Sequence, residues 1–166
     1  MSGHFTVNGV VQAANTTFGL TAAQLAQTTF TAGSISDDLF ANVNDGFAFS
    51  GPKEFHVVVP PNHAPVLTAP DYSPTGQVIA ASSLFSASDA DNDTLTYYFY
   101  DNTPAASSGH FTVNGVVQPA NTTFGLTAAQ LAQTTFTAGT GVSDDLFVNV
   151  FDGVAFSGPQ EFHILV

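Results

Sequence analysis

The sequence contains an internal repeat whose first copy is incomplete, and this repetition limits the possible folds more than any other feature. Residues 2–33 return as 108–139 with one substitution, and residues 37–59 return in a more divergent form as 144–166. Residues 60–107 have no earlier counterpart, so the chain contains a back half, a front half and a second back half. Self-similarity at a fixed period marks a repeated structural unit, so we predict one and a half modules.

The half copy at the start lacks the segment that would complete it. We place a back half at residues 1–59, a proline-rich linker at 60–63 and a complete module at 64–166. The half copy could borrow strands from another chain, compete for the single front half or stand alone. Burying one Phe stabilises a fold by roughly 1.5–3 kcal/mol, so we expect dimer contacts or strand exchange. Its aromatic residues are Phe5, Phe18, Phe30, Phe40, Phe49 and Phe55.

Most of the complete module has the pattern of β-strands. Residues 94–100 alternate between two faces, and a short strand is predicted over 76–81. The Asn-Gly pair at 114–115 and the Asp-Gly pair at 152–153 favour hairpin turns. A capping Thr and good helix formers predict one or two helical turns over 127–133. About seven strands in a hundred residues predict an all-β, two-sheet sandwich.

Aromatic residues recur at matching positions in the two back halves. Rings that recur in strands belong to the core more often than to a ligand site, because they bury large apolar areas. We therefore assign this set to the interior. Its members in the complete module are Phe111, Phe124, Phe136, Phe147, Phe156 and Phe162.

Charge is scarce and almost entirely acidic. Lys53 is the single Lys or Arg, and the formal net charge is -12. Nucleic acids and anionic lipids are bound through basic side chains, so both are excluded as partners, and cations are the natural counter-charge. No apolar run is long enough for membrane insertion. No HExxH, GxSxG or phosphate-loop motif occurs, so we predict no enzymatic activity and no catalytic residues.

An acidic run precedes the strand at 94–100. Asp89, Asp91 and Asp93 alternate with small or amide residues, and alternating carboxylates in a loop can converge on one hard cation. Close carboxylates without a neighbouring base also repel one another, which a bound cation relieves. The alternative is a solvated acidic turn. An EF-hand is disfavoured because its Gly and its final Glu are missing. We predict a Ca²⁺ site.

Other polar residues have simpler interpretations. Asp152 lies in an Asp-Gly pair, where Asp is common as a turn residue. The histidines come mostly as repeat pairs, and we interpret them as strand-surface residues in preference to zinc ligands. Tyrosines could stack on sugar rings, although the absence of Trp argues against it. The two sets are His4, His56, His63, His110 and His163, and Tyr72, Tyr97, Tyr98 and Tyr100.

Three phrases of the module resemble a known family. They are Asn-His-Ala-Pro at 62–65, Ala-Ser-Asp-Ala-Asp at 87–91 and Val-Asn-Val-Phe-Asp-Gly at 148–153. Together they resemble the cadherin-like tandem repeats of large bacterial RTX-type adhesins and related secreted surface proteins. The resemblance covers residues 62–166 in full and the second half of a module at 1–59.

The resemblance implies an immunoglobulin-like or cadherin-like Greek-key β-sandwich in a tandem array. It implies a secreted, extracellular protein at the bacterial cell surface, with neighbouring repeats and an unidentified surface ligand as partners. By position, the cadherin-type Asp-x-Asp falls on Asp89 and Asp91, and the later Asp falls on Asp152. The Asp-x-Asn-Asp-Asn linker and the Asp-Arg-Glu phrase are missing, so the resemblance implies one calcium site per module.

These observations lead to three hypotheses about function. The first is a calcium-binding structural and adhesive repeat, with Asp89, Asp91, Asp93 and Asp152 as metal ligands. The second is a self-assembling subunit that exchanges strands and forms a filament or array. The third is a carbohydrate-binding module.

Overall fold

The computed structural model describes residues 1–74 and 78–166, in two compact units, Met1–Pro61 and Asn62–Val166. Antiparallel strands dominate both units, and each α-helix is a single turn, which confirms the predicted all-β sandwich class. Within the described ranges, no helix has the length and apolar character needed to cross a bilayer.

The N-terminal unit consists of two small sheets. Strand β1 pairs with β2 and β3, and β4 pairs with β5, all antiparallel. Among residues 1–61, all of which are described, only Val7 is buried. The elements are β1 (His4–Val7), β2 (Val10–Val11), α1 (Ala22–Leu25), β3 (Thr28–Thr31), β4 (Asp37–Ala41) and β5 (Lys53–Val57).

The C-terminal unit is the complete sandwich. Its elements are β6 (Val66–Thr68), β7 (Val78–Ala80), a 3-10 turn (Ala81–Ser83), β8 (Ser86–Ser88), β9 (Thr96–Asp101), β10 (His110–Val113), β11 (Val116–Val117), β12 (Phe124–Thr127), α2 (Ala128–Leu131), β13 (Thr134–Thr137), β14 (Asp144–Phe151) and β15 (Gln160–Ile164). The strands form sheets in the orders β11-β10-β13-β7 and β12-β9-β14-β15, with β6 paired to β8. Of the strand predicted over 76–81, residues 78–80 are strand and residues 76–77 lie outside the described ranges.

Aromatic rings join the two four-stranded sheets of this unit. The Phe99 ring of one sheet lies 5.0 Å from the Phe111 ring of the other, and Phe111 lies 4.8 Å from Phe136 in an edge-to-face contact. All three side chains are fully buried. Aromatic rings bury large apolar areas, so this contact is a large part of the hydrophobic core.

Strand parity corrects part of the predicted core. In β14 the buried positions are 144, 146, 148 and 150, so Phe147 falls on the outer face. Phe156 lies in the connection to β15 and is half exposed. Phe111, Phe136 and Phe162 are buried as predicted, and Phe124 packs at the margin of the core. A list of recurring aromatic residues does not show on which face of a strand each one lies.

Two local predictions are confirmed. Asn114 and Gly115 both have positive φ angles, of 48° and 81°, as the tight turn between β10 and β11 requires. Thr127 caps the single turn α2, and its hydroxyl accepts a hydrogen bond from the backbone N–H of Gln130 while the Gln130 side chain accepts one from Thr127. The repeat at Thr21 has the same capping box.

Candidate metal centre

The loop after β8 folds around one carboxylate. Asp89 Oδ1 accepts hydrogen bonds from the backbone N–H groups of Asp91 at 2.9 Å and of Asp93 at 3.1 Å. One carboxylate oxygen from each of these three residues can be chosen so that all lie within 4.8 Å of one another. The other oxygen of Asp89 is shielded from solvent and has no hydrogen-bond partner. The sequence predicted this loop as the site, and the structure brings its three carboxylates together.

The start of the unit is attached to this loop and to the turn after β14. The backbone N–H of His63 donates to Asp91 Oδ2 at 2.7 Å, and the His63 ring lies 3.1 Å from Asp91 Oδ1. The Asn62 amide donates to Asp152 Oδ2 at 2.9 Å. Asn62 and His63 therefore position the site, a role that was not predicted from the sequence.

Asp152 is 6% exposed and lies beside the group of three carboxylates. Its Oδ1 accepts hydrogen bonds from the backbone N–H groups of Val154 and Ala155, both at 2.6 Å. Asp45 makes the same turn contacts in the N-terminal unit. Asp152 is therefore a turn residue by geometry, and its charge acts on the neighbouring acidic loop.

The carboxylates of the loop differ in their electrostatic environment. Desolvation, followed by the charges of Asp89, Asp91 and Asp152, raises the pKa of Asp93. The backbone hydrogen bond from His63 lowers the pKa of Asp91, and its ring adds to this effect. Like charges that face one another disfavour ionisation, and a cation among them would reverse this effect. The arrangement is suited to a hard, oxygen-seeking cation.

Two further groups of acidic and histidine side chains lie on the β4-β5 and β14-β15 hairpins. They contain Asp38, Glu54 and His56 in one unit and Asp145, Glu161 and His163 in the other. His56 Nδ1 lies 2.7 Å from Asp38 Oδ1. His163 Nδ1 lies 2.9 Å from Asp71, which belongs to the front half. Both histidines are more than a third exposed, so we interpret them as surface ion pairs.

The Asp71–His163 pair predicts a pH dependence in the complete module. The Asp71 hydrogen bond raises the pKa of His163, and His163 lowers that of Asp71. The contribution of His163 is therefore complete below its unfolded pKa of about 6.5 and is lost as pH rises through its folded pKa. We expect His163→Gln to lower the melting temperature more at pH 5.5 than at pH 8.5.

The first back half supplies a matched control for this experiment. His56 also has a raised pKa, caused first by the Asp38 hydrogen bond, but it lies outside the complete module. His56→Gln should leave the main melting transition unchanged at both pH values. A His163→Gln deficit of equal size at the two pH values would contradict the role of the ion pair.

The tyrosines divide between the two faces of the β12-β9-β14-β15 sheet. Tyr97 and Tyr72 pack against the core and are not placed to stack on a ligand. Tyr98 and Tyr100 line a shallow outer groove together with Phe147, and the other described lining residues include Asn149, Phe156 and Pro159. Carbohydrate binding stays a prediction, and the geometry restricts it to the outward-facing tyrosines.

Two carboxylates are buried, although the Asp144-Asp145 pair ahead of a strand is typical of an exposed edge charge. Asp144 is fully buried and Asp101 is 3% exposed, and burial raises the pKa of both. Asp144 Oδ1 accepts a hydrogen bond from the backbone N–H of Gly109 at 2.7 Å, so it ties β14 to the start of β10. Its inward position follows from the alternation of Leu146 and Val148, which is the signal that could have revealed it.

Comparisons of this chain with protein-family models, with curated proteins and with solved structures find no match.

Proposed function

We propose that residues 62–166 are a calcium-binding structural repeat of an extracellular bacterial surface array, with a cadherin-like Greek-key topology. The observation that carries this proposal is the convergence of one carboxylate oxygen from each of Asp89, Asp91 and Asp93 to within 4.8 Å of one another, with one oxygen of Asp89 shielded from solvent and unpartnered. Asp152 adds a fourth negative charge beside them. The role of the repeat is mechanical and adhesive, without a catalytic step.

The donor set favours calcium over other common cations. Ca²⁺ takes six to eight oxygen ligands and tolerates irregular geometry, whereas Mg²⁺ requires a near-ideal octahedron. Zn²⁺ is held mainly by Cys and His, and the loop at 89–93 contains neither of these residue types. The chain has 13 acidic residues against one Lys, so a divalent cation also relieves a general repulsion.

The positions of the two ends of the unit support a place in a linear array. Asn62, at the start, bonds to Asp152, just beyond the end of β14. Ile164, near the end, pairs with Asp144 at the beginning of the same strand. Eight residues of strand span about 27 Å, so the chain enters at one end of the sandwich and leaves at the other. Modules of this kind can be joined end to end without folding back.

Calcium at this loop would fix the entrance of the module. Asp91 accepts the backbone N–H of His63, and Asp152 accepts the amide of Asn62, so both acidic groups already hold the first residues of the unit. A cation among the carboxylates would remove their mutual repulsion and leave these two contacts in place. The expected result is a stiffer junction between successive modules.

We expect calcium to raise the stability of the 166-residue chain. At calcium concentrations about ten times the dissociation constant, binding should add about 1.4 kcal/mol. Extracellular calcium modules have dissociation constants of ~10⁻⁴–10⁻³ M, so millimolar calcium against chelator is the relevant comparison. The measurement is a thermal melt of the chain with calcium, with magnesium and with chelator.

The control variants separate the site from general charge effects. Asp91→Ala should abolish the calcium-dependent shift, whereas Asp38→Ala removes an equal charge from an exposed hairpin and should preserve it. A melting temperature that is the same in calcium and in chelator would contradict the proposal. A shift that survives Asp91→Ala would also contradict it.

A further inference from the structure

One stretch of sequence occurs twice in this chain in two different environments. Strands β1 and β3 pair in the same register as β10 and β13, with Phe5 opposite Phe30 and Phe111 opposite Phe136. The β4-β5 pair likewise repeats the register of β14 and β15. The N-terminal unit therefore has the backbone arrangement of a back half, although no front half covers it.

Burial of identical or similar residues differs sharply between the two copies. Leu25 is 62% exposed, while Leu131, in an identical helical turn, is 8% exposed. Val43 is 71% exposed and its counterpart Val150 is fully buried. The local sequences are the same or nearly so, and the difference lies in the strands that cover them. The N-terminal unit therefore presents an apolar face whose normal cover is visible elsewhere in the same chain.

Hydrogen bonding shows which strands are missing. In the complete module β7 pairs with β13, and β9 lies between β12 and β14. In the N-terminal unit, all of which is described, β3 and β4 each pair with a strand on one side only. Residues 18–21 repeat the sequence of β12 but form no strand, because the equivalent of β9 is absent. Strand formation at residues 18–21 therefore depends on a neighbouring strand equivalent to β9.

A side chain contact shows the same dependence. His163 bonds to Asp71, a residue of the front half, through both its ring and its backbone N–H. The corresponding His56 bonds instead to Asp38 on the adjacent strand of its own hairpin. Where the front half is present, the histidine therefore bonds to a residue of the front half and not to the adjacent strand of its own hairpin.

We propose that residues 1–59 are a preformed acceptor that is completed by the front half of another module, a segment with the strand pattern of residues 64–106. The complete module predicts the register. Ile79 of the donor should pair with Phe30, as it does with Phe136. Phe99 should pair with Ala41, as it does with Val148. The donor adds one strand beside β3 and another between β4 and residues 18–21.

The donor segment must come from outside the C-terminal unit. The chain holds one front half and two back halves, and its front half is paired with residues 108–166. Transfer of that front half to residues 1–59 would leave the second back half equally open. A donor from outside the C-terminal unit adds strands without removing any. This inference is independent of calcium binding, since the acceptor lacks the loop at 89–93.

The test uses the full-length chain and a synthetic peptide of residues 64–106, in chelator. We expect a saturable 1:1 complex by sedimentation. Hydrogen exchange should slow at least ~10-fold at residues 28–31 and 37–41, because their amides enter a sheet. Exchange at residues 134–137, already paired with the chain's own β7, should stay unchanged.

Two peptide variants differ at neighbouring positions of one strand. Ile79 is 7% exposed in the complete module and Val78 is 64% exposed. The Ile79→Asp peptide should bind on the order of 100-fold more weakly, since it would bury a carboxylate, while the Val78→Asp peptide should bind nearly as well as the parent. Equal binding of the two variants would overturn the proposal, as would no change in exchange with the parent peptide.

If the peptide is insoluble, the same test can be made with the donor segment fused to the N-terminus of the chain. Residues 62–107 are placed ahead of Ser2, which reproduces the junction between Ser107 and Ser108. Residues 28–31 should then exchange as slowly as 134–137. A second copy of the chain is the competing occupant. A dimer of the unaltered chain in which residues 28–31 are already protected would overturn the proposal in favour of that pairing.

Discussion

Phe162→Ala should destabilise the complete module by about 3–5 kcal/mol. Phe162 lies on β15 with no exposed surface, opposite Leu146, which is also fully buried. Removing the ring leaves a cavity in the hydrophobic core, where Phe162 is surrounded by other buried side chains. A loss of this size is a large fraction of the stability of a domain of this length.

Phe55 in the first copy provides the control for Phe162, because both residues occupy the middle of a Glu-Phe-His sequence. Phe55 is 44% exposed, so Phe55→Ala opens no enclosed cavity and should change little. Tyrosine fluorescence in urea isolates the relevant transition, because all four Tyr lie in the complete module and the chain has no Trp. Equal losses from the two variants would mean that the two units share one core.

Gly109→Ala should destabilise the module by about 3 kcal/mol, the upper end for overpacking. A Cβ at this position would lie 2.5 Å from both Phe136 Cε1 and the carbonyl oxygen of Thr137. Phe136 cannot move aside, because Phe111 packs against it at 4.8 Å. Any shift of the backbone also strains the hydrogen bond from Gly109 to Asp144.

Gly3→Ala is the control that places a matching clash in the N-terminal unit. Its Cβ would meet Phe30 and Thr31 at similar distances, and Phe5 packs against Phe30 at 4.9 Å, but Phe30 is only half-buried. Because all four Tyr lie in the complete module, urea denaturation followed by tyrosine fluorescence should show no change for Gly3→Ala. A Gly109→Ala variant as stable as the parent would show that Phe136 is less confined than its burial indicates.

The sequence predicted features that depend on near neighbours. The Asn114-Gly115 turn, the Thr127 capping box and the convergence of the 89–93 loop are all set within a few residues. Their chemistry is local, since a positive φ angle or a capping hydroxyl acts over one turn of chain. The repeat predicted a linker at residues 60–63, and the two compact units divide between Pro61 and Asn62.

Contacts between distant residues could not be predicted in this way. Asn62 and Asp152 are 90 positions apart, and Asp71 and His163 are 92 apart. Nothing in either local sequence shows that the other is near. The outward position of Phe147 depends on where β14 begins, and a shift of one residue would exchange its two faces. The buried Asp144 is hidden for the same reason.

The bridge between Tyr72 and Ile164 has a consequence for a module under tension. The segment at Tyr72 runs parallel to β15, with Tyr72 donating to the carbonyl of His163 and accepting from the N–H of Leu165. The ends of the unit leave in opposite directions, so a pulling force slides these two segments past each other. Hydrogen bonds between sliding parallel segments are loaded together, whereas those of a hairpin pulled open are loaded one at a time. The unit is therefore connected to resist stretching along its long axis.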